Sequence, residues 1–285
     1  MLEFIGQGSY AAVFRGKWRN AVVAIKKATI ADEADAVSLR EQLALYVKAG
    51  NHPHILPLIG ASTTQPAFFL IVCKYCERSS LYQYLLIQQN ALSDEQLQDV
   101  LMHSSTALGH LHSLRIIHRD VTSRNYLLAL PFRIYLADFG ISRILSKKRS
   151  ASSTISDIGP IRWLSPESLF SSVYSPKTDA YMYANFVYEV LFRKVPFFEL
   201  SNVFDVSDAI RQGIRPTILF ELPEVFQNFF QVNWSTNPDD RHDLPAIIEA
   251  FSTFFHTFPT FFSSLSTSVL TPTHSNHYDK IVDLK

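Results

Sequence analysis

The fold of this chain is decided by two stretches near its middle, His118-Arg119-Asp120-Val121-Thr122-Ser123-Arg124-Asn125 and Asp138-Phe139-Gly140. They are the third and fourth of four motifs that follow one another in a definite order. The first two motifs lie near the start of the chain and have the residue types of a phosphate-binding site. The order and spacing of the four motifs together predict the fold, whereas any one of them alone would be weak evidence.

The first motif is a glycine-containing turn, Gly6-Gln7-Gly8-Ser9-Tyr10-Ala11-Ala12-Val13. Residues without a side chain let backbone N–H groups approach phosphate oxygens closely. The whole chain has only 9 glycines among 285 residues, so this local concentration carries weight. A plain hairpin turn would also explain these glycines, and the motif alone leaves both interpretations open.

The second motif is an apolar strand that ends in a lysine, Val23-Ala24-Ile25-Lys26. Such a lysine can point its ammonium group at phosphates beneath a glycine loop, although a lysine that ends a strand is often simply solvated. Glu41, on the helix that follows, is expected to hold the ammonium group in place through a charge-assisted pair.

Together, the four motifs resemble the catalytic domain of eukaryotic protein kinases. The resemblance extends from Leu2 to about Phe255. Further along the chain, Ser165-Pro166-Glu167 looks like the end of the family's activation segment. Asp179 and Arg241 stand where the family anchors its catalytic loop and pairs an arginine with that glutamate. The resemblance implies an α+β bilobal fold, with a small β-rich N-lobe that carries one helix and a larger helical C-lobe.

The resemblance also implies that the chain is an enzyme that uses ATP and Mg²⁺ and acts on protein substrates. Lys26 should contact the α- and β-phosphates, Asp120 should accept the proton of the substrate hydroxyl, and Arg124 should supply a second cation. Asn125 and Asp138 should hold Mg²⁺. The residues expected around the nucleotide are Ile5, Gly6, Gly8, Val13, Ala24, Lys26, Glu41, Cys73, Lys74, Tyr75, Cys76, Leu127 and Asp138.

Two further features of the kinase resemblance concern the space around the nucleotide. Cys73 falls at the gatekeeper position, and a side chain this small implies an accessible pocket behind it, while Lys74 to Cys76 form the hinge that meets adenine. The apolar spine that links the lobes would consist of His118, Phe139, Leu45 and Leu58.

The pattern of apolar residues predicts strands in the first part of the chain and helices after it. Strands are expected at 2–5, 12–17, 21–27, 55–59 and 68–73, and helices at 32–48, 93–112, 180–191, 204–212, 223–232 and 244–255. Ser93 is the expected cap of the second helix. The kinase domain should span 1–258, with an N-lobe at 1–72, a hinge at 73–80 and a C-lobe at 81–258. A Ser/Thr/Phe-rich tail should follow at 259–285.

Composition excludes several classes of protein. Lys plus Arg and Asp plus Glu each total 26, so the net charge is zero, which argues against a nucleic-acid binder or a polybasic membrane-surface protein. With 47% hydrophobic and 18% charged residues, global disorder is excluded. No apolar run approaches the ~20 residues of a membrane span, and no secretory signal is present, so a cytoplasmic location is expected. Cys73 and Cys76 are expected to be buried thiols rather than a redox or zinc site.

The sequence does not decide whether the phosphate would be transferred to serine and threonine or to tyrosine. Thr122-Ser123-Arg124-Asn125 and Pro160-Ile161-Arg162-Trp163 favour the tyrosine-kinase-like group, which mostly modifies serine and threonine, with dual specificity included. A protein tyrosine kinase is the alternative. A pseudokinase scaffold that binds nucleotide without turnover is the third interpretation, although Lys26, Asp120, Asn125 and Asp138 are all present.

A serine-rich stretch from Ser146 to Ser156 predicts regulation by phosphorylation. An added phosphate carries about −1.5 to −2 charge and can order a loop by pairing with arginine. Arg119 and Arg143 are the arginines expected to receive it. The donor would be an upstream activating kinase or a second copy of the chain that phosphorylates in trans. The stretch holds five candidate acceptors, Ser150, Ser152, Ser153, Thr154 and Ser156.

Overall fold

The computed structural model describes residues 2–7, 11–62, 68–139 and 161–260. Within these residues, the first five strands form an antiparallel sheet in the order β1-β2-β3-β5-β4. The strands are β1 Glu3–Gln7, β2 Ala11–Trp18, β3 Ala21–Thr29, β4 Leu58–Ser62 and β5 Phe68–Lys74. One helix, α1, spans Glu33–Ala49 between β3 and β4. This sheet with its single helix confirms the β-rich N-lobe of the predicted α+β bilobal fold.

The second part of the molecule is helical. Its helices are α2 Asp94–Ser113, α3 Pro166–Ser171, α4 Pro176–Phe192, α5 Val203–Arg211, α6 Glu224–Asn233 and α7 Leu244–Thr257. A π-helical turn at Gln83–Ile87 precedes α2, and a two-stranded hairpin, β6 Tyr126–Ala129 and β7 Arg133–Leu136, follows it. This hairpin was not predicted from the sequence, and the predicted start of β4 is three residues too early.

Helix α1 has well-defined ends and a clear inward face. The Asp32 side chain caps its start by accepting a hydrogen bond from the Asp35 amide at 2.9 Å, and Gly50, at φ +62°, ends it. The residues of α1 that are buried recur every three or four positions, as one helical face requires. They are Ala36, Leu39, Gln42, Tyr46 and Ala49. Gln42 and Tyr46 therefore face the interior of the protein, and Glu41 is exposed.

Helix α4 lies in the middle of the helical part and is buried on almost every side. Aromatic side chains such as Tyr183 and Phe186 are fully buried along it, which confirms the prediction of a helix enclosed on all sides. Two carboxylates, Asp179 and Glu189, lie in the same apolar surroundings with no exposed surface. Because a buried charge is costly unless it is hydrogen-bonded, each must have partners nearby.

Helix α2 begins where the sequence predicted. The Ser93 hydroxyl accepts a hydrogen bond from the Gln96 amide, and the Gln96 side chain accepts one from the Ser93 amide in return. None of the helices in the described ranges is long and apolar enough to cross a membrane. The serine-rich stretch around Ser150 and most of the predicted tail lie outside the described residues.

Candidate active site

A cavity of about 350 Å³ lies between the five-stranded sheet and the β6–β7 hairpin. Most of the residues predicted to surround a nucleotide line it: Ile5, Gly6, Val13, Ala24, Lys26, Cys73, Lys74, Tyr75, Cys76, Leu127 and Asp138. Gly8 lies outside the described residues. Glu41 does not line the cavity. Further lining residues were not predicted, namely Gln42, Tyr46, Leu56, Ile71, Glu77, Ser79 and Ala137.

Strand register places the apolar and the charged walls of this cavity. In the β2–β3 pair Val13 lies opposite Lys26, and in the β3–β5 pair Ala24 lies opposite Cys73. Leu127 on β6 faces them from the helical part. The cavity therefore combines apolar walls that can enclose a flat ring with the cationic side chain of Lys26.

Lys26 forms an ion pair with Asp138, and the predicted pair with Glu41 is wrong. The Lys26 Nζ atom lies 2.8 Å from Asp138 Oδ1, with 21% and 41% of the two side chains exposed. Glu41 lies on the exposed side of α1, because the residue of that turn that faces inward is Gln42. One helical position separates the two residues, and it turns Glu41 about 100° away from the cavity.

Asp138 is held by helix α1 through Tyr46. The Asp138 amide donates a hydrogen bond to the Tyr46 hydroxyl at 2.8 Å, and the Tyr46 ring lies 4.3 Å from that of Phe139. Burial, followed by the nearby Asp138 carboxylate, raises the pKa of Tyr46 well above its usual value, so the phenol stays neutral. Tyr46 is the α1 side chain whose ring packs on Phe139, and the predicted spine residue Leu45 packs, partly buried, against the cluster that contains Phe139. Asp138 itself has φ +59°, a left-handed conformation that is uncommon outside glycine.

Asp120 and Asn125 form the second half of the site. The Asn125 Nδ2 atom donates to Asp120 Oδ2 and to the Asp120 backbone carbonyl, both at 2.7 Å. Asp120 Oδ1 is buried and has no hydrogen-bond partner among the described residues. Burial raises the pKa of Asp120, while His118 and the Asn125 hydrogen bond oppose the shift. The unpartnered oxygen is therefore a buried acceptor of the kind that an incoming hydroxyl would satisfy.

The loop that carries His118, Arg119 and Asp120 is anchored by Asp179, as the kinase resemblance implied. Its carboxylate accepts hydrogen bonds from the backbone amides of His118 at 2.7 Å and Arg119 at 2.8 Å. The His112 Nε2 atom lies 2.9 Å from the same carboxylate. The backbone next to Asp120 is thus fixed by one fully buried side chain.

Glu189, one of the buried acids of α4, is a second anchor that the sequence analysis missed. It accepts hydrogen bonds from the Ser123 amide at 2.9 Å, the Ser123 hydroxyl at 2.6 Å and the Trp163 indole N–H at 2.9 Å. Burial raises the pKa of Glu189, and the Ser123 and Trp163 hydrogen bonds, with Arg124 nearby, act against that shift. The signal that could have found it is an acidic residue inside an otherwise apolar helix.

Arg124 is exposed and is held by aromatic rings. Its guanidinium carbon lies 3.8 Å from the centre of the Tyr82 ring and 5.3 Å from that of Trp163. It lies beside the Asp120–Asn125 pair in the chain, where a second cation was predicted.

Glu167 and Arg241 form the structural pair that the resemblance implied. Two hydrogen bonds join them, Nη1 to Oε1 at 2.6 Å and Nη2 to Oε2 at 2.9 Å. The arginine is fully buried, which makes this pair a fixed element of the helical part.

Cys73 and Cys76 are both free and buried, as predicted. Burial raises the pKa of each thiol to about 12, so neither is reactive as a thiolate near neutral pH. Within the described ranges, no cluster of three or more His, Cys, Asp and Glu side chains could hold a metal ion.

Comparison with known proteins adds independent evidence. A model of the family described as protein tyrosine and serine/threonine kinase matches residues 1–251. The chain is 30% identical over 287 residues to the dual specificity protein kinase pyk3 of Dictyostelium discoideum, a match that covers 99% of this chain and 21% of that protein. It is 31% identical to the putative serine/threonine-protein kinase/receptor R826 of Acanthamoeba polyphaga mimivirus, covering 89% of this chain and 15% of that protein.

A mammalian relative gives the same result. The chain is 29% identical to the human serine/threonine-protein kinase TNNI3K, over 86% of this chain and 30% of that protein. The chain thus spans less than a third of the length of each of these three relatives.

Proposed function

Since this chain belongs to the protein tyrosine and serine/threonine kinase family, we propose that it transfers the γ-phosphate of ATP to serine and threonine hydroxyls of protein substrates. The three relatives compared above carry names of serine/threonine or dual specificity kinases, which favours this acceptor class. Tyrosine remains the alternative acceptor.

One observation carries the proposal, namely that four residues remote in sequence form one connected group. Lys26 and Asp138 are joined at 2.8 Å, and Asp120 and Asn125 at 2.7 Å. The Asn125 carbonyl accepts a hydrogen bond at 2.8 Å from the amide of Ala137, the residue before Asp138. A cation, two carboxylates and an amide are thus linked by hydrogen bonds, and two of the four residues, Lys26 and Asp138, line the cavity.

The residues present fit ATP and Mg²⁺. The apolar walls suit a purine ring, and Lys26 would contact its phosphates. Asp138 is 41% exposed and can act as an oxygen ligand. The Asn125 side chain uses its nitrogen for both bonds to Asp120, which leaves its oxygen to face a ligand. Carboxylate and amide oxygens are the ligands that Mg²⁺ prefers, and the bound ion would neutralise phosphate charge.

The remaining chemistry belongs to Asp120 and Arg124. Asp120 Oδ1, buried and without a partner among the described residues, would accept the proton of the substrate hydroxyl. Asn125 and the anchored backbone hold that oxygen in one orientation. Arg124, stacked on Tyr82, would offer a positive charge near the transferred group.

The test is transfer of radiolabelled γ-phosphate from ATP to a generic protein substrate, by the wild type and by Asp138→Ala purified in parallel. A signal from the wild type that disappears in the variant supports the proposal. Equal signals from both would indicate a nucleotide-binding scaffold with a contaminating kinase. Phosphoamino-acid analysis of the autophosphorylated wild type then decides the acceptor, since phosphoserine and phosphothreonine support it and phosphotyrosine alone contradicts it.

We further propose that phosphorylation between Ser146 and Ser156 activates the enzyme. These residues lie outside the described part of the chain. Support comes from Arg119, which directly precedes Asp120, and whose guanidinium carbon lies 5.0 Å from the centre of the Tyr174 ring. Replacing all five serine and threonine acceptors by alanine should sharply lower activity, and unchanged turnover would contradict this proposal.

A further inference from the structure

Gln42 is a polar side chain buried in the nucleotide cavity that the proposed mechanism does not use. It is 2% exposed, it lines the cavity, and its Nε2 atom has no hydrogen-bond partner among the described residues. A buried amide donor without a partner costs about 1–3 kcal/mol, so a site that retains one calls for an explanation.

The helix places Gln42 in the cavity that Lys26 and Asp138 also line. Tyr46 lies one helical turn further along on the same face, and its hydroxyl accepts the hydrogen bond from the Asp138 amide. Lys26 contacts the side chain of that same Asp138. Gln42, Lys26 and Asp138 therefore line the same cavity.

The charge of Lys26 has only one acidic partner in the described part of the chain, Asp138. The acidic residue of this turn of α1, Glu41, is on its exposed side. The inward position holds an amide, which can turn either its oxygen or its nitrogen toward a neighbour but carries no charge.

We propose that Gln42 is the residue of α1 that positions Lys26, and that its neutral amide leaves Asp138 to balance the lysine charge until nucleotide binds. The inference rests on the proposed function, because it concerns how that same site is prepared. Asp138 would share its charge between Lys26 and Mg²⁺ once the metal is bound, and the Gln42 oxygen would then accept a hydrogen bond from the ammonium group. A carboxylate at position 42 would remove this competition.

The first test measures thermal unfolding of the nucleotide-free protein and needs no turnover. Four proteins form a double-mutant cycle, namely wild type, Gln42→Glu, Lys26→Met and the double variant. A glutamate at position 42 should be tolerated when Lys26 can pair with it. Without the lysine, the buried carboxylate is unpaired, and Gln42→Glu should lower Tm by about 5 °C more than it does in the wild type.

The matched comparison is Glu41→Gln in the same two backgrounds. Additive changes in Tm are expected there, since Glu41 is exposed and does not line the cavity. The proposal is overturned if the change in Tm at position 41 depends on Lys26, or if the change in Tm at position 42 does not.

A second measurement is the affinity for an ATP analogue across a Mg²⁺ titration. Gln42→Glu should lower the Mg²⁺ concentration for half-maximal binding about threefold to fivefold. A change of this size corresponds to the free energy that one partly exposed ion pair contributes. Gln42→Met, of similar size and without an amide, should weaken binding, and wild-type affinity in this variant contradicts the proposal. A wild type that binds no nucleotide would instead refute the proposed function and leave the unfolding cycle interpretable.

Discussion

Ser123 donates two hydrogen bonds to the fully buried Glu189, one from its backbone amide at 2.9 Å and one from its hydroxyl at 2.6 Å. The indole of Trp163 donates a third at 2.9 Å. One carboxylate of α4 therefore joins the loop that carries Asp120 to the segment that precedes α3. All three donors would lose their acceptor if the carboxylate were removed.

Glu189→Gln should lower both stability and turnover. The variant has nearly the same shape, but it turns an amide nitrogen toward one of the three donors. Leaving a buried donor unpaired costs about 1–3 kcal/mol of unfolding free energy. Because the loop beside Asp120 loosens, kcat should fall about tenfold or more. Denaturant unfolding and initial-rate kinetics measure the two effects. Ser123→Ala removes only one donor and should have the smaller effect on stability, and a Glu189→Gln enzyme with wild-type kcat would contradict the anchoring role.

Asp120→Asn should abolish most of the turnover while nucleotide binding survives. The amide cannot take up the proton of a substrate hydroxyl, and general-base contributions are typically about 10²–10⁴-fold in rate. Steady-state phosphate transfer measures kcat, and binding of an ATP analogue with Mg²⁺ measures the affinity. A decrease in kcat of less than about tenfold would show that Asp120 is not the base.

Cys73→Phe should close the inner part of the cavity. Behind Cys73 the cavity is lined by Tyr46, Leu56 and Ile71, a space that a phenylalanine ring would fill. A purine analogue with an aromatic substituent directed into that space should then bind at least about tenfold more weakly, the equivalent of about 1.4 kcal/mol. The affinity for ATP should change little. Competition binding measures both ligands, and Cys73→Ala is the matched control that should retain the analogue. Equal affinities for it in the two variants would mean that the space is not accessible.

His103 of α2 and His54, which contacts Ile134 of β7, predict acid sensitivity. The rings of His54 and His103 stack with their centres 3.8 Å apart. Burial, with smaller contributions from His103, His52 and Arg133, lowers the pKa of His54 from 6.5 to about 4, although the Ile134 carbonyl favours the charged form. Asp99, at 3.6 Å from His103, opposes the lowering of the His103 pKa in the same way.

The sign of the effect follows from the two states. The unfolded chain binds this proton near pH 6.5, whereas the folded chain binds it only near pH 4. Stability from His54 is therefore complete above pH 6.5 and is lost progressively as the pH falls toward 4. His54→Asn keeps a donor for the Ile134 carbonyl and should flatten this part of the Tm profile by a few degrees. Identical profiles for wild type and variant between these pH values would contradict the prediction.

Most of the fold and much of the site could be predicted, because the decisive signals are local. The lysine that ends β3, the Asp120 loop and Asp138 are recognised from neighbouring residues, and the cavity gathers nearly all the residues expected around it. The pairing of Glu167 with Arg241 also agrees with expectation.

The register of helix α1 was not predictable in the same way. Both of its faces carry apolar and polar side chains, with Val47 66% exposed and Gln42 2% exposed. An acidic residue, Glu41, was therefore assigned to Lys26 by its charge. That assignment is wrong by one position, which is a rotation of about 100° on the helix.

The hydrogen bond from the Asp138 amide to the Tyr46 hydroxyl has a mechanical consequence. Tyr46 belongs to the only long helix that packs on the sheet within the described residues, and Asp138 belongs to the segment that leaves β7. If the helix moves away from the sheet, either this hydrogen bond breaks or the backbone of Asp138 moves with the helix. A force applied to the outer surface of the helix is thus transmitted through the Tyr46 phenol to Asp138, the proposed magnesium ligand.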